Sequence, residues 1–235
     1  MRLPAVLLGV AVVAPGLAEA QVVPERTDLE IPAPRGAFEL GVSASFTQPF
    51  GEVQAGLGIG SLVDFGGAVE IQLGYRIDPH VSVETALSFH ESSAEDRLGV
   101  GNAMHGTTAT LALLYHFLPY GLVDPYVSVG TGYRVLVASL RGADNDVTVH
   151  GPQAGRVIVG LGFRTTHDAE LGPFVGADVN AFLWRAAQSV GTHTRIEGAS
   201  ACTFVYAGFG VRFDVGGRRE IHGRPVRLAS EDRTR

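Results

Sequence analysis

The residues whose chemistry stands out are carboxylates and arginines that recur on one side of alternating segments, among glycines and small polar residues. They are Glu39, Glu70, Arg76, Glu84, Arg134, Arg156, Arg164, Asp178 and Arg212. Carboxylate and guanidinium groups form charge-assisted hydrogen bonds. Such pairs either hold a closed interior together or line a narrow polar path. Which of these two roles applies depends on whether the segments that carry the charged residues fold around a common interior.

Those segments alternate with a period of two, which is typical of strands with one apolar and one polar face. In residues 69–77, for example, apolar side chains alternate with a polar face that contains Glu70 and Arg76. The same template predicts eight strands, at residues 38–47, 69–77, 81–90, 107–117, 126–136, 155–165, 174–183 and 203–213.

Composition narrows the possible classes of protein. Of the 235 residues, 46% are apolar and 18% are charged, and the net charge is -6 with no lysine. This balance excludes a disordered chain and argues against nucleic-acid binding through bulk positive charge. A total of 31 glycines favours β structure with close backbone approaches. The single cysteine, Cys202, excludes an intrachain disulfide.

The first 20 residues have the organisation of a secretory signal peptide. Arg2 precedes an apolar run, and the small-residue triplet at 18–20 ends it. Cleavage after Ala20 would leave residues 21–36 as an N-terminal periplasmic segment. No apolar run reaches the roughly 20 residues that a spanning helix needs. A membrane-embedded mature chain would therefore have to be a closed barrel.

Two features favour apolar faces that point outward to lipid. The polar faces are rich in Gly, Ser and Ala, and the connections between strands alternate between long ones of about 16 to 21 residues and short ones of about 3 to 8. We therefore predict an all-β, eight-stranded antiparallel up-and-down transmembrane barrel over residues 37–213, in the bacterial outer membrane. The strand ends predict two aromatic girdles, with Tyr75, Phe117, Tyr126, Phe163, Phe174 and Phe213 on the periplasmic side and Phe46, Phe89 and Trp184 on the outer side.

The last strand carries the most specific motif, in which the aromatic Tyr206 is followed by Gly208 and then, two positions apart, by the apolar Val211 and the aromatic Phe213. With this motif the chain resembles the small eight-stranded outer-membrane barrels, the OmpA-like and OmpX-like transmembrane domains. The resemblance implies that the barrel assembly machinery reads the motif during biogenesis. It also implies that outer-membrane lipid and lipopolysaccharide surround the barrel. Residues 214–235 follow, and their mixed charge predicts a flexible, Arg-rich periplasmic tail.

Eight strands enclose a lumen that side chains just fill. The inward charges therefore predict an interior network of ion pairs, a closed or nearly closed lumen, and a structural or surface-interaction role with a possible ligand at the extracellular loops. A narrow channel for small solutes is the alternative. A soluble lipocalin-like barrel is the alternative at the level of the fold, and it would need apolar residues inside.

An enzymatic role has one weak motif. His90 and Ser92 resemble the histidine and serine, two residues apart, of barrel enzymes that deacylate lipid A, but Ser93 stands where those enzymes have asparagine. Alternation also points His90 into the barrel, away from lipid. We therefore predict that the chain is not an enzyme. No cofactor is implied, and the scattered histidines give little support for a metal site.

Overall fold

The structure, a computed structural model, describes residues 30–54, 57–59, 65–93, 103–140, 145–189, 192–195 and 200–226. The predicted signal peptide, residues 1–20, lies outside the described residues. The strands are β1 (Ala33–Arg35), β2 (Ala37–Gln54), β3 (Leu57–Gly58), β4 (Gly66–Asp78), β5 (Val81–Ser93), β6 (Ala103–His116), β7 (Val123–Leu140), β8 (Asn145–Arg164), β9 (Ala169–Phe182), β10 (Trp184–Ser189), β11 (Thr192–Arg195), β12 (Ser200–Val215), β13 (Arg218–Ile221) and β14 (Arg224–Pro225).

Eight of these strands close into a ring. The order is β2, β4, β5, β6, β7, β8, β9 and β12, and β12 pairs back onto β2. Every pairing around the ring is antiparallel between neighbours. The predicted eight-stranded up-and-down barrel is confirmed. No helix among the described residues has the length and apolarity needed to cross a bilayer.

The apolar residues lie on the outside of the barrel. Large side chains such as Val42, Leu73 and Val175 are more than half exposed, at 54%, 56% and 58%. An exposed apolar band of this extent is stable against lipid rather than water. The inside-out arrangement is therefore confirmed, and the lipocalin-like alternative is wrong because the apolar faces of the alternating strands point outward.

Two members of the predicted girdles face the lumen instead. Tyr126 and Phe174 point inward, and Phe174 is only 8% exposed. Each lies an even number of positions from the other inward residues of its strand. Side chains an even number of positions apart lie on the same face of a strand, so both point into the lumen. The other predicted aromatic residues whose side chains are described are exposed on the outside: Phe46, Tyr75, Phe89, Phe117, Phe163 and Phe213. The side chain of Trp184 lies outside the described residues.

The strands are longer than the alternation predicts. The most marked case is the pair β7 and β8, which remains hydrogen-bonded up to Leu140 opposite Asn145. The sequence predicts a long loop there, and this is wrong. Strands of 18 and 20 residues far exceed the roughly 9 to 11 that cross a bilayer. Beyond the apolar band a strand no longer needs an apolar face, so the alternation fades while the pairing continues.

We call the end of the barrel with the short turns the inner end, and the opposite end the outer end. A small sheet of β1, β13 and β14 lies at the inner end. The predicted flexible tail is therefore wrong for residues 214–226, while 227–235 lie outside the described residues. Gly216 and Gly217, with φ of 73° and 74°, reverse the chain after β12. β13 then pairs with β1, a long-range partner that composition does not indicate.

This sheet, with the residues that flank it (31–36 and 216–226), forms what we call the inner cap. The Ile31 amide donates to the Tyr120 carbonyl at 2.8 Å, and Arg219 pairs with Asp168. The cap is thus tied to two of the turns at the inner end. Ala33, at its centre, is fully buried.

Substituting Val159 tests the orientation of the wall. Val159 points outward from β8 at about 12 Å from the inner end, near the middle of the apolar band at roughly 2.5 Å of height per tilted residue. We expect Val159→Arg to lower the free energy of unfolding in lipid vesicles by about 2 to 4 kcal/mol, because the guanidinium would lie in hydrocarbon. Thr166→Arg, in an exposed turn, is the control and should change it little. Equal effects would contradict the orientation.

Candidate functional site in the barrel lumen

All nine charged residues singled out from the sequence point into the lumen and are buried. Alternation places them there, because each sits at an inward position of a strand whose outward positions are apolar. They do not form one cluster. The structure distributes most of them over separate ion-paired groups along the barrel axis.

The group nearest the outer end is centred on Arg134 and Asp178. The Arg134 Nη1 and Nη2 groups donate to Asp178 Oδ1 and Oδ2 at 3.1 and 2.7 Å. Gln153 and Asn180 also donate to this carboxylate, at 2.9 and 2.5 Å. Thr108 Oγ1 accepts from Arg134 Nε at 2.7 Å. The carboxylate therefore has four donors, which offsets the cost of burying it.

The position of Gln153 depends on an irregularity in the wall. The register of β8 shifts between Gln153 and Gly155 against β9, and β7 shifts between Gly130 and Gly132 opposite it. An extra residue in one strand re-aims the side chains around it. Here the bulge leaves both Gln153 and Arg156 inward although they are three positions apart.

The next group joins Arg156 to Glu70. Arg156 Nη2 lies 2.7 Å from Glu70 Oε2, and Gln72 donates to Glu70 Oε1 at 2.7 Å. Arg156 Nε donates to the Tyr206 hydroxyl at 3.2 Å. Tyr206 fits because the residue beside it on β9 is Gly176, where a Cβ would collide with the ring.

Arg212 forms the third group with two acids. Its Nη1 donates to Glu170 Oε1 at 2.9 Å, and its Nη2 lies 3.8 Å from Glu84 Oε2. Ser128 donates to the other oxygen of Glu84 at 2.7 Å. The guanidinium lies over the ring of Tyr126 at 5.0 Å, a cation–π contact. Arg212 is thus held on several sides.

The group at the inner end is built around Arg76, which is fully buried. Its Nε lies 3.1 Å from Glu39 Oε1, and its Nη1 lies 3.7 Å from Asp214 Oδ2. His116 contacts Arg76 through Nε2, and the other ring nitrogen of His116 lies 2.7 Å from Asp124 Oδ2. Two acids and a histidine therefore surround one guanidinium.

Arg164 is the ninth predicted residue, and it faces the inner cap. Its Nη1 donates to the Pro32 carbonyl at 3.5 Å. Because Arg164 is the last residue of β8 and points into the lumen, this contact holds Pro32 at the inner mouth of the barrel.

Sequence reasoning missed four buried polar residues that complete these groups: His116, Asp124, Glu170 and Asp214. Asp124, Glu170 and Asp214 lie just outside the predicted strand limits. His116 lies inside a predicted strand. Its inward position was not recognised because Leu114, two residues before it, is apolar although it also faces inward and is buried. Extending each alternation by a few residues would have found Asp124, Glu170 and Asp214.

His116, Asp124 and Glu170 also offer ligand atoms within 4.8 Å of one another. Each of these groups already has a partner in the network. His116 and Asp124 bond to each other, and Glu170 accepts from Arg212. The guanidinium groups of Arg76 and Arg212 lie close by and disfavour an added cation. The geometry therefore favours an internally paired network over a metal centre.

Above the charged groups, the outer part of the lumen is apolar. Buried side chains from five strands and from the segment after β3 meet there: Ile59, Met104, Leu136, Val149, Phe182, Cys202 and Phe204. Phe204 lies at the boundary, with the Arg134 guanidinium 4.1 Å from its ring centroid. Two cavities lined by lumen residues measure about 30 Å³ each, which is room for one or two waters.

His90 lies in this upper region. It is buried and points inward, and its ring meets Phe204 edge to face at 5.6 Å. Ser92 is buried on the same face. A catalytic pair acting on lipid would have to reach the outer surface, and neither side chain points there. Packing against Phe204 accounts for the position of His90.

The four residues of the predicted assembly signal divide between the two faces of β12. Tyr206 and Gly208 face the lumen, whereas Val211 and Phe213 face outward. A Cβ at Gly208 would collide with the Ala44 carbonyl on β2, so this position requires glycine where the last strand meets the first. Phe213 is 48% exposed within the aromatic girdle of the inner end.

Removing Asp178 tests how far the lumen depends on paired charge. We expect Asp178→Ala to lower the free energy of unfolding by about 3 to 5 kcal/mol, because the buried guanidinium of Arg134 loses its partner. The double variant Arg134→Met with Asp178→Leu should recover most of the loss, since neither charge remains. Urea titration in lipid vesicles measures both. A double variant as unstable as the single one would contradict the pairing account.

Comparison with known proteins gives the family. Residues 32–214 match the outer membrane protein beta-barrel domain. Among solved structures, the chain is similar to OprG from Pseudomonas aeruginosa at 15% identity and a TM-score of 0.54, covering 78% of this chain and 99% of that one. It is also similar to Neisserial surface protein A at 16% identity and a TM-score of 0.51, covering 76% and 99%. No curated protein sequence matches. The closed ring, the outward apolar band and the matched domain together make the chain a member of the outer-membrane β-barrel family, located in the bacterial outer membrane.

Proposed function

We propose that this protein is a closed outer-membrane barrel with a structural and surface-interaction role. The observation that carries the proposal is the filled lumen. Ion-paired groups centred on Arg134, Arg156, Arg212 and Arg76 follow one another along the axis, and the two small cavities among the described lumen residues are of water size. In this account, the paired charges stabilise the closed barrel and take no part in transport or catalysis.

Energetics supports a closed lumen over a narrow channel. A solute on the axis would have to separate buried pairs such as Arg156 and Glu70, and breaking one such pair costs about 3 to 5 kcal/mol. Two further features close the lumen without the help of these ion pairs. The apolar layer around Phe182 fills the outer end, and the inner cap covers the other mouth.

Strands that extend past the bilayer support the surface role. The outer parts of β7 and β8 pair with each other, and β10 and β11 add to the edge of β8. The result is an ordered sheet that rises above the apolar band. A rigid support of this kind suits display of binding residues. An extracellular ligand would meet this sheet, while lipid and lipopolysaccharide surround the wall.

Conductance measurements test the closed lumen. We expect the protein in a planar lipid bilayer to give no current steps. Arg76→Ala and Arg212→Ala should be equally silent, because the apolar layer and the inner cap remain. Each variant is first shown to be folded by the difference in gel mobility between unboiled and boiled samples. Steady current in either folded variant would contradict the proposal and favour the narrow channel.

Assembly by the barrel assembly machinery is proposed from the motif in β12. We expect Phe213→Ala to reduce the fraction of folded, heat-modifiable protein in outer-membrane fractions severalfold. Phe209→Ala is the matched control, since Phe209 is also an exposed phenylalanine on the outer face of β12, at 49% against 48%. If both variants assemble equally well or equally poorly, Phe213 is not part of a specific signal.

A further inference from the structure

Two arginines lie directly opposite each other on the inner cap. Arg35 on β1 pairs with Arg218 on β13, so their side chains lie on the same face of the small sheet. Both residues are exposed, and the Arg35 side chain is 56% exposed. Like charges directly opposite each other on neighbouring strands repel. An anion placed between the two guanidinium groups would remove this repulsion.

A single carboxylate lies on this face of the cap sheet. Glu220 lies two positions after Arg218, and its Oε2 is 3.6 Å from Arg35 Nη1. Arg219, between them, points to the opposite face and pairs with Asp168. Among the strand residues of the cap that the structure describes, this face therefore carries two guanidinium groups and one carboxylate. It keeps one surplus positive charge.

The arginine pair lies close to the last apolar residues of the barrel wall. Phe38 and Val215 lie opposite each other on β2 and β12, and they are 64% and 50% exposed on the outside. Arg35 and Arg218 each lie three positions further towards the inner end, which is at most about 10 Å of extended chain. Head groups occupy roughly 5 to 8 Å on each side of the hydrocarbon core, and an arginine side chain is long enough to extend towards them. The guanidinium groups are therefore within reach of the head groups at the inner end.

Two glycines hold the pair beside the wall. Gly36 joins β1 to β2, and its amide donates to the Arg76 carbonyl at 2.7 Å. A Cβ at Gly36 would lie 3.5 Å from the hydroxyl of Tyr75, which is 44% exposed on the outside of β4. Gly217 approaches β1 so closely that a Cβ there would lie 2.7 Å from the Arg35 carbonyl oxygen. The arginine pair is thus fixed next to the aromatic girdle of the inner end.

We propose that Arg35 and Arg218 bind the phosphate of an anionic phospholipid in the inner leaflet of the outer membrane. The short turns of outer-membrane barrels face the periplasm. The inner end therefore meets the leaflet that is made of glycerophospholipids and not of lipopolysaccharide. Both guanidinium groups donate to phosphate oxygens, and the Tyr75 hydroxyl at the same rim is a further donor. The acyl chains lie along Phe38 and Val215.

Charge favours an anionic lipid over the alternatives. A phosphodiester carries one negative charge, which matches the surplus positive charge of this face. The head group of phosphatidylethanolamine adds an ammonium, which the guanidinium groups repel, whereas that of phosphatidylglycerol adds no charge. A second copy related by a two-fold axis would bring the same surplus positive charge to the contact. A phospholipid is also continuous with the apolar band that the wall presents to lipid.

Competition between two lipids tests the proposal. The full mature chain is placed in nanodiscs containing equal amounts of phosphatidylglycerol and phosphatidylethanolamine with identical acyl chains, and native mass spectrometry then identifies the lipid that is retained. We expect one phosphatidylglycerol per chain to be preferred, and the preference to fall as the salt concentration during equilibration rises. Arg218→Gln should reduce the preference about fivefold, the effect of one arginine near an anionic surface. Glu220→Gln should increase it, because the variant removes the carboxylate that competes for Arg35.

Arg224→Gln is the matched control. Arg224 is also an exposed arginine of the inner cap, but it lies opposite Ile221, on the face away from Arg218. This variant should retain phosphatidylglycerol as the unchanged protein does. Gel mobility before and after boiling shows that each variant is folded.

Three results would overturn the proposal. Equal retention of the two lipids, or equal losses in Arg218→Gln and Arg224→Gln, would favour a general attraction of lipid to the basic cap. Dimers that are lost in Arg218→Gln would favour a second copy as the occupant. Binding of soluble glycerophosphoglycerol to the protein in detergent, as tightly as the lipid binds, would favour a soluble periplasmic ligand.

Discussion

The pairing of β12 with β2 is the contact on which the rest of the structure depends. It runs from Phe38 opposite Val215 to Gly51 opposite Cys202 and joins the last barrel strand to the first. Without it, both strands would present unpaired amides and carbonyls to hydrocarbon, where no water can satisfy them. Once the ring is closed, every side chain has a defined side, and the period of two becomes an apolar outside and a polar inside.

A ring of only eight strands then constrains the interior. Side chains must fill the lumen, so a charged residue that points inward can lower its energy only by finding a partner there. Arg76, Arg134, Arg156 and Arg212 each meet at least one carboxylate. Inward glycines provide the room, as where Gly160 lies against the ring of Tyr126.

Much of the fold could be predicted from the sequence, because a strand in lipid must keep strict alternation. The eight strands and the orientation of their faces follow from that requirement. The inner cap could not be predicted, because Ala33 and Glu220 pair across almost the whole chain and neither segment alternates. The protruding sheet was missed because strands outside the bilayer lose the pattern. Asp124 was missed because it lies two residues before the predicted start of its strand, and His116 was missed because the inward, buried Leu114 blurs the polar face of its strand. The specific role is the least predictable part, since it depends on surfaces that alternation does not encode.

Accessibility of the lumen from water is the most direct test of this account. A single cysteine at Ser43, which lines both small cavities, would be introduced in a Cys202→Ser background and exposed to a charged thiol reagent much larger than water. A closed lumen predicts no labelling in the folded barrel and full labelling after unfolding, while Thr166→Cys in an exposed turn labels at once. Labelling of the folded Ser43→Cys protein at the rate of the turn control would contradict a lumen closed by paired charges.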